Sequence, residues 1–198
     1  VAQTVAEQGS VQLKNDGSLL SLAAGARRIA VIGGHADAGV LSGGGSSQVV
    51  PAGGASATVS VGGEGLMGPF RNMLFDPSSP LKAIRGIAPN AQVKFDDGRY
   101  PASAAALAKW ADVVVVFGNQ WMIEGSDTPD LSLPEGQDAL IEAVAAANPK
   151  TIVVLQTGGP VAMPWLDRVG AVMEAWYPGQ RGGQAIANVL FGRVNPSG

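Results

Sequence analysis

The residues most able to do chemistry lie at 118–134, directly after an apolar run at 113–117, in the order Gly118-Asn119-Gln120-Trp121-Met122-Ile123-Glu124-Gly125-Ser126-Asp127 and on to Pro134. Glu124 follows three apolar side chains, Trp121, Met122 and Ile123. A carboxyl in such a setting, at the carboxyl end of a strand, is a candidate general acid. Burial would disfavour its charged form and raise its pKa. The other reading is a solvated loop carboxylate, which the local sequence alone slightly favours. Asp127 and Asp130 are of the same residue type but read as turn and cap residues.

A second stretch, 33–65, holds 11 of the chain's 28 glycines, including Ser42-Gly43-Gly44-Gly45-Ser46-Ser47. A phosphate-binding loop would need a lysine and a hydroxyl residue directly after its glycines, and no lysine is present. A dinucleotide fingerprint needs spaced glycines in a tight turn into a helix. Gly33-Gly34-His35-Ala36-Asp37-Ala38-Gly39 has other spacing, and no helix is predicted to follow. Nucleotide binding is therefore disfavoured, and the stretch reads as a long loop, either a flexible surface segment or a functional one. His35 could act as a general base. No Gly-x-Ser-x-Gly elbow accompanies it, and a histidine capping the turn after a strand is the preferred reading.

The elements that position these residues follow from hydrophobic patterning. Runs at 29–32, 113–117, 151–155 and 171–173 are continuously apolar and rich in β-branched residues. Strands covered on both faces read this way. A weaker strand candidate is 92–95. Helical patterns occupy 102–110, 134–147 and 184–190, with a shorter one at 81–87. Strand and helix alternate, which predicts an α/β fold, a three-layer sandwich with a mostly parallel sheet and helices on both faces.

Composition narrows the function classes. The chain has 198 residues, of which 46% are hydrophobic, enough for one domain with a sizeable core. Lys plus Arg number 13 and Asp plus Glu 16, for a net charge of −3. Without a basic patch or a run of like charge, an electrostatic grip on nucleic acid or an anionic membrane is not expected. Zero cysteine excludes disulfides and thiolate chemistry, and a single histidine excludes a multi-histidine metal site. No apolar run approaches the roughly 20 residues needed to span a bilayer. Residues 1–10 lack the basic-then-apolar pattern of a signal peptide. The compartment stays open, with periplasmic or secreted preferred to cytoplasmic.

Several motifs, in order along nearly the whole chain, resemble the second domain of family 3 glycoside hydrolases of the β-glucosidase type. They are Gly9-Ser10-Val11-Gln12-Leu13-Lys14-Asn15-Asp16-Gly17, the stretch 29–37, Ser42 to Ser46, Glu124-Gly125-Ser126-Asp127 with Leu131-Ser132-Leu133-Pro134, and Ala147-Asn148-Pro149. Further along come Gly158-Gly159-Pro160-Val161, Met163-Pro164-Trp165, Glu174-Ala175-Trp176-Tyr177-Pro178-Gly179-Gln180, Leu190-Phe191-Gly192 and Asn195-Pro196-Ser197-Gly198. Thr128 stands where the family often has arginine, Gly34-His35 where it often has Pro-Asn, and residues 52–77 match nothing in the pattern.

The resemblance implies that residues 1–198 form the α/β sandwich domain of a two-domain retaining β-glucosidase. An N-terminal barrel carries the aspartate nucleophile, and neither that barrel nor the family's remaining C-terminus is expected within this chain. Glu124 would be the general acid/base, and Ser46 would reach the sugar in the first subsite. The implied partners are a β-glucoside or oligosaccharide and the barrel, with no cofactor and no metal. Trp121 either stacks on a sugar ring or packs against the sheet edge, whereas Trp165, Trp176 and Tyr177 are assigned structural places. A rival reading is a non-catalytic saccharide-binding or docking module of the same fold. Linkage, aglycone preference and oligomeric state are not legible.

Overall fold

The computed structural model describes residues 1–22, 25–63 and 71–198. Its main sheet has six strands: β1 (Val11–Asn15), β2 (Arg28–Ile32), β6 (Gln92–Asp96), β7 (Val113–Gln120), β8 (Thr151–Thr157) and β9 (Ala171–Glu174). They lie in the order β1-β9-β8-β7-β2-β6. All neighbours are parallel except β1, which pairs antiparallel with β9. The fold is an α/β sandwich, as the alternating pattern predicts.

The continuous apolar runs have a direct physical cause. Ile29, Val31, Val113, Val115, Phe117, Ile152 and Val154 enter one core cluster, with Leu81 and Ile84 of α2 (Pro80–Ile87) and Ile186 of α5 (Gly182–Leu190). The alternate residues Ala30, Ile32, Val114, Val116, Val153 and Leu155 enter a second cluster. It includes Ala104 and Ala108 of α3 (Pro101–Trp110) and Leu140, Ile141 and Val144 of α4 (Gln137–Ala147). Side chains alternate across a strand, so helices on both faces require an apolar residue at every position. Each Val, Leu, Ile or Phe side chain so withdrawn from water contributes about 1.5–3 kcal/mol.

Local chemistry fixes the helix ends. Ser79 caps α2, its Oγ accepting from Lys82 N at 3.1 Å, and Pro80 follows it. Asn148, just past α4, donates through Nδ2 to Ala108 O and Ala111 O at 3.0 and 2.9 Å, tying the end of α3 to β8. The helix predicted over 134–147 starts later, at Gln137, after a 3-10 turn at Pro134–Gly136. Glu135 and Gly136 have φ of 60° and 73°, a left-handed pair that α-helix cannot absorb.

The glycine-rich stretch is more structured than a loop. It contains β3 (Val40–Leu41) and β4 (Ala57–Ser60), which join β5 (Asn72–Asp76) in a small antiparallel sheet ordered β3-β5-β4. Residues 52–77 thus supply two of its strands, although 64–70, with Glu64 and Gly65 of the predicted loop, lie outside the described residues. The first helix, α1 (Ala2–Gly9), packs against α5.

Strands β7 and β8 run beyond their apolar cores, to Gln120 and Thr157. Those polar extensions, Asn119, Gln120, Gln156 and Thr157, carry the site described next. They stand at the carboxyl edge of the parallel sheet, where α/β folds place their ligands.

Candidate active site

The chain leaves β7 through Trp121 and Met122 and closes a tight turn in which Ile123 bridges Ser126. Gly125 takes φ of 76° in that turn, a conformation glycine adopts without steric cost. Glu124 therefore stands at the exposed corner of the turn.

The glycine-rich segment reaches the same place from β3. Gln156 Oε1 accepts from Leu41 N at 2.9 Å, and Gln156 Nε2 donates to Asn119 Oδ1 at 3.3 Å. Asn119 in turn donates through Nδ2 to Gly34 O at 3.0 Å. This amide relay fixes where the loop departs from the sheet. The loop then passes too close to its neighbours for any side chain. A Cβ on Gly43 would lie 2.9 Å from the Tyr177 ring, one on Gly44 2.6 Å from Trp121 Cζ2, and one on Gly45 2.8 Å from Glu124 Cβ. Gly44 N donates to Met122 O at 2.8 Å, joining the two loops directly.

A 3-10 turn at Gly45–Ser47 then presents Ser46 to Glu124. Ser46 donates its hydroxyl to Glu124 Oε2 and its backbone N–H to the same oxygen at 3.3 Å. Around this pair lies an open hollow of about 420 Å³ lined by Gly44, Ser46, Ser47, Met122, Ile123, Glu124, Gly158 and Tyr177. The hydroxyl bond, and after it the backbone bond, hold the Glu124 carboxyl below its ordinary range. The structure thus gives the solvated loop carboxylate that the local sequence slightly favours, and corrects the burial and raised pKa expected of a general acid here. The apolar neighbours turn toward the loops and the sheet, with Trp121 under Gly44, Ile123 beside Gly44 and Gly45, and Met122 over Gly158 and Gly159. The carboxylate is left at the surface.

Trp121 does not join the hollow. It is half-buried under Gly44, its Nε1 has no hydrogen-bond partner among the described residues, and it lines a separate cavity of about 830 Å³. That cavity sits between the ends of β2 and β7 and the small sheet, with Gly34, His35, Asp97, Arg99 and Glu135 also on its wall. The His35 ring packs against Phe75, with centroids 4.6 Å apart. Asp130 accepts from Ser132 N at 2.7 Å, a turn contact. Among the described residues, no group of three or more His, Cys, Asp or Glu side chains could hold a metal ion, and no helix is long and apolar enough to cross a membrane.

Sequence reasoning gives Tyr177 only a structural place and assigns Glu174 no role, yet both shape the site. Tyr177 donates through Oη to Gln120 O at 2.8 Å and accepts from Met122 N at 2.9 Å. Glu174, at the end of β9, is buried and accepts from Trp176 N at 2.7 Å and from Thr157 Oγ1 at 2.9 Å. Burial, outweighing those bonds, pushes its carboxyl above the ordinary value. For Glu174 and Thr157 the available signal is position, since each sits where an apolar strand run ends. Trp165 and Trp176 hold structural places, donating through Nε1 to Asp138 Oδ1 at 2.7 Å and Gly9 O at 3.0 Å.

Comparison with known proteins points one way. The family described as "Glycosyl hydrolase family 3 C-terminal domain" matches residues 10–198. A β-glucosidase of Rhizobium radiobacter is 52% identical over 100 residues, covering 49% of this chain and 12% of that protein. β-Glucosidase B of Emericella nidulans is 52% identical over 102 residues, again 49% and 12%. Among solved structures, the β-glucosidase DesR of Streptomyces venezuelae, in complex with D-glucose, superposes with a TM-score of 0.81 at 26% identity, over 98% of this chain and 36% of that one. A glycoside hydrolase family 3 β-glucosidase of Neurospora crassa superposes with a TM-score of 0.73 at 31% identity, over 100% and 24%. In each case the match spans a minor part of the other protein's length.

Proposed function

The chain belongs to the glycosyl hydrolase family 3 C-terminal domains, and from that premise we propose that it supplies the general acid/base and part of the sugar cleft of a retaining β-glucosidase. The observation that carries the reading is the meeting of Glu124 and Ser46, 78 residues apart in sequence, in one hollow at the carboxyl edge of the sheet. Glu124 is the acid/base, Ser46 a sugar-binding group of the first subsite, and the nucleophilic aspartate belongs to an N-terminal barrel domain of the same enzyme. Relatives named β-glucosidases support the substrate class, a terminal β-D-glucosyl unit on a glucoside or oligosaccharide. Trp121 is assigned a packing role beneath Gly44 rather than a stacking one.

In the first half-reaction the barrel aspartate attacks the anomeric carbon. Glu124 meanwhile passes its proton to the glycosidic oxygen, which leaves with the bonding pair. In the second half-reaction Glu124 takes a proton from water as that water displaces the aspartate from the sugar. Retention requires the two carboxyls to be about 5–5.5 Å apart. An acid must carry a proton to give one, yet the two Ser46 bonds favour the Glu124 carboxylate. A sugar hydroxyl that engages the Ser46 hydroxyl weakens that preference by freeing Glu124 of the larger of the two bonds, and the nucleophile's negative charge adds a push in the same direction. Protonation of the acid is thereby tied to occupancy of the subsite.

The reading is tested in the full-length enzyme by comparing kcat/KM of wild type and Glu124→Ala on phenyl and 2,4-dinitrophenyl β-glucosides. An acid/base role predicts a loss of about 10²–10⁴-fold on the phenyl glucoside, whose leaving group needs the proton, and little loss on the other. Equal losses on both would remove Glu124 from the role.

A further inference from the structure

Glu124 is carried by a turn that has left the sheet. The β7–β8 ladder ends with Gln120 opposite Thr157, and Glu124 stands four residues further on. Its height over the hollow depends on what holds Trp121 and Met122. Tyr177 meets this stretch where strand pairing stops. Its Oη donates to Gln120 O at 2.8 Å and accepts from Met122 N at 2.9 Å, so one phenol bridges the last strand residue and the loop beyond it. Met122 O is held on its other side by Gly44 N at 2.8 Å. Both backbone groups of Met122 are thus fixed two residues before Glu124.

The phenol itself is confined. A Cβ on Gly43 would lie 2.9 Å from the ring, and one on Gly158 2.7 Å from Oη, so both flanking loops close on Tyr177 without side chains. Burial also resists loss of the proton that Oη gives to Gln120 O.

We propose that Tyr177 is the positioning residue for the acid/base, setting the place of Glu124 over the bound sugar through the Met122 backbone. The proposal rests on the acid/base reading of Glu124. Tyr177→Phe keeps the ring between the glycines and removes only the bridge. Glu124 would then be free to drift from the glycosidic oxygen, where an error of about 1 Å is costly to rate. A role confined to packing would instead lower all substrates together.

The test uses the full-length enzyme and the ratio of kcat/KM on 2,4-dinitrophenyl to that on phenyl β-glucoside. Tyr177→Phe is expected to raise this ratio by about tenfold or more, in the same direction as Glu124→Ala but less far. Gly158→Ala, which displaces the phenol instead of deleting it, should raise the ratio too and serves if Tyr177→Phe folds poorly. An unchanged ratio in both variants, whether activity is kept or lost evenly, overturns the assignment. Glu124→Ala separates the two claims. If its ratio rises while those of the other variants do not, Tyr177 alone loses its role. If its ratio is also unchanged, the acid/base reading falls and takes this one with it.

Discussion

Ser46 gives both its hydroxyl and its backbone N–H to a single oxygen of Glu124, Oε2, across 78 positions of sequence. The pair is exposed, so its weight lies in proton affinity more than in fold stability. Two donors on one oxygen favour the carboxylate over the acid.

The first consequence concerns titration. Ser46→Ala removes the hydroxyl bond, the larger cause of the depressed Glu124 pKa, and leaves the backbone bond. The side-chain carboxyl carbon resonance of Glu124, followed by NMR against pH, should titrate at higher pH in the variant than in wild type. A depressed carboxyl stabilises the fold above its unfolded pKa, and that contribution is lost as pH falls through the lower folded value. The variant should therefore lose less stability than wild type on acidification.

Glu174 should behave in the opposite sense. Its pKa is raised by burial, so the folded state holds its proton more tightly than the unfolded state does. The stability this contributes is full below the ordinary carboxylate pKa and is lost as pH rises through the raised folded value. Glu174→Gln carries no such dependence. Urea denaturation at pH 4 and pH 7 should show the variant gaining on wild type at the higher pH.

The close passage of the glycine-rich loop predicts a packing cost. Gly44→Ala would drive a methyl to 2.6 Å from Trp121 Cζ2. Overpacking of this kind costs about 1–3 kcal/mol. Thermal unfolding should report it, with a change in Trp121 fluorescence as the indole moves aside.

Gln156 anchors the same loop at its root. Gln156→Leu keeps roughly the volume but strips Leu41 N of a buried acceptor. An unsatisfied buried donor costs about 1–3 kcal/mol. Because β3 leads directly into the Ser46 loop, the variant should also shift Glu124 titration toward that of Ser46→Ala.

The sequence was legible where physics acts locally. β2, β7 and β8 stood out because both of their faces are covered, which leaves no polar positions inside the run. β1, β4 and β5 did not, because they are half-exposed and carry residues such as Lys14, Ser60 and Asn72. β1 exists through pairing with the distant β9, and β4 and β5 through pairing with each other. Glu124 and Ser46 could be named from motifs, yet their contact depends on the route of two loops that no spacing encodes. The burial that a general-acid reading expects of Glu124 fails for a related reason. Apolar neighbours in sequence predict burial only if the chain keeps its direction, and Gly125 turns it. Tyr177 carried no mark of its role, since its phenol acts on backbone groups 55 and 57 residues away.

The central claim, Glu124 as acid/base of a retaining enzyme, is tested most directly by azide rescue. Glu124→Ala in the full-length enzyme, given 2,4-dinitrophenyl β-glucoside, should accumulate a glycosyl-enzyme that water cannot resolve without a base. Azide needs no deprotonation and should displace the aspartate, restoring turnover and yielding β-glucosyl azide with retained configuration. Turnover unaffected by azide, with no glucosyl azide formed, would contradict the assignment.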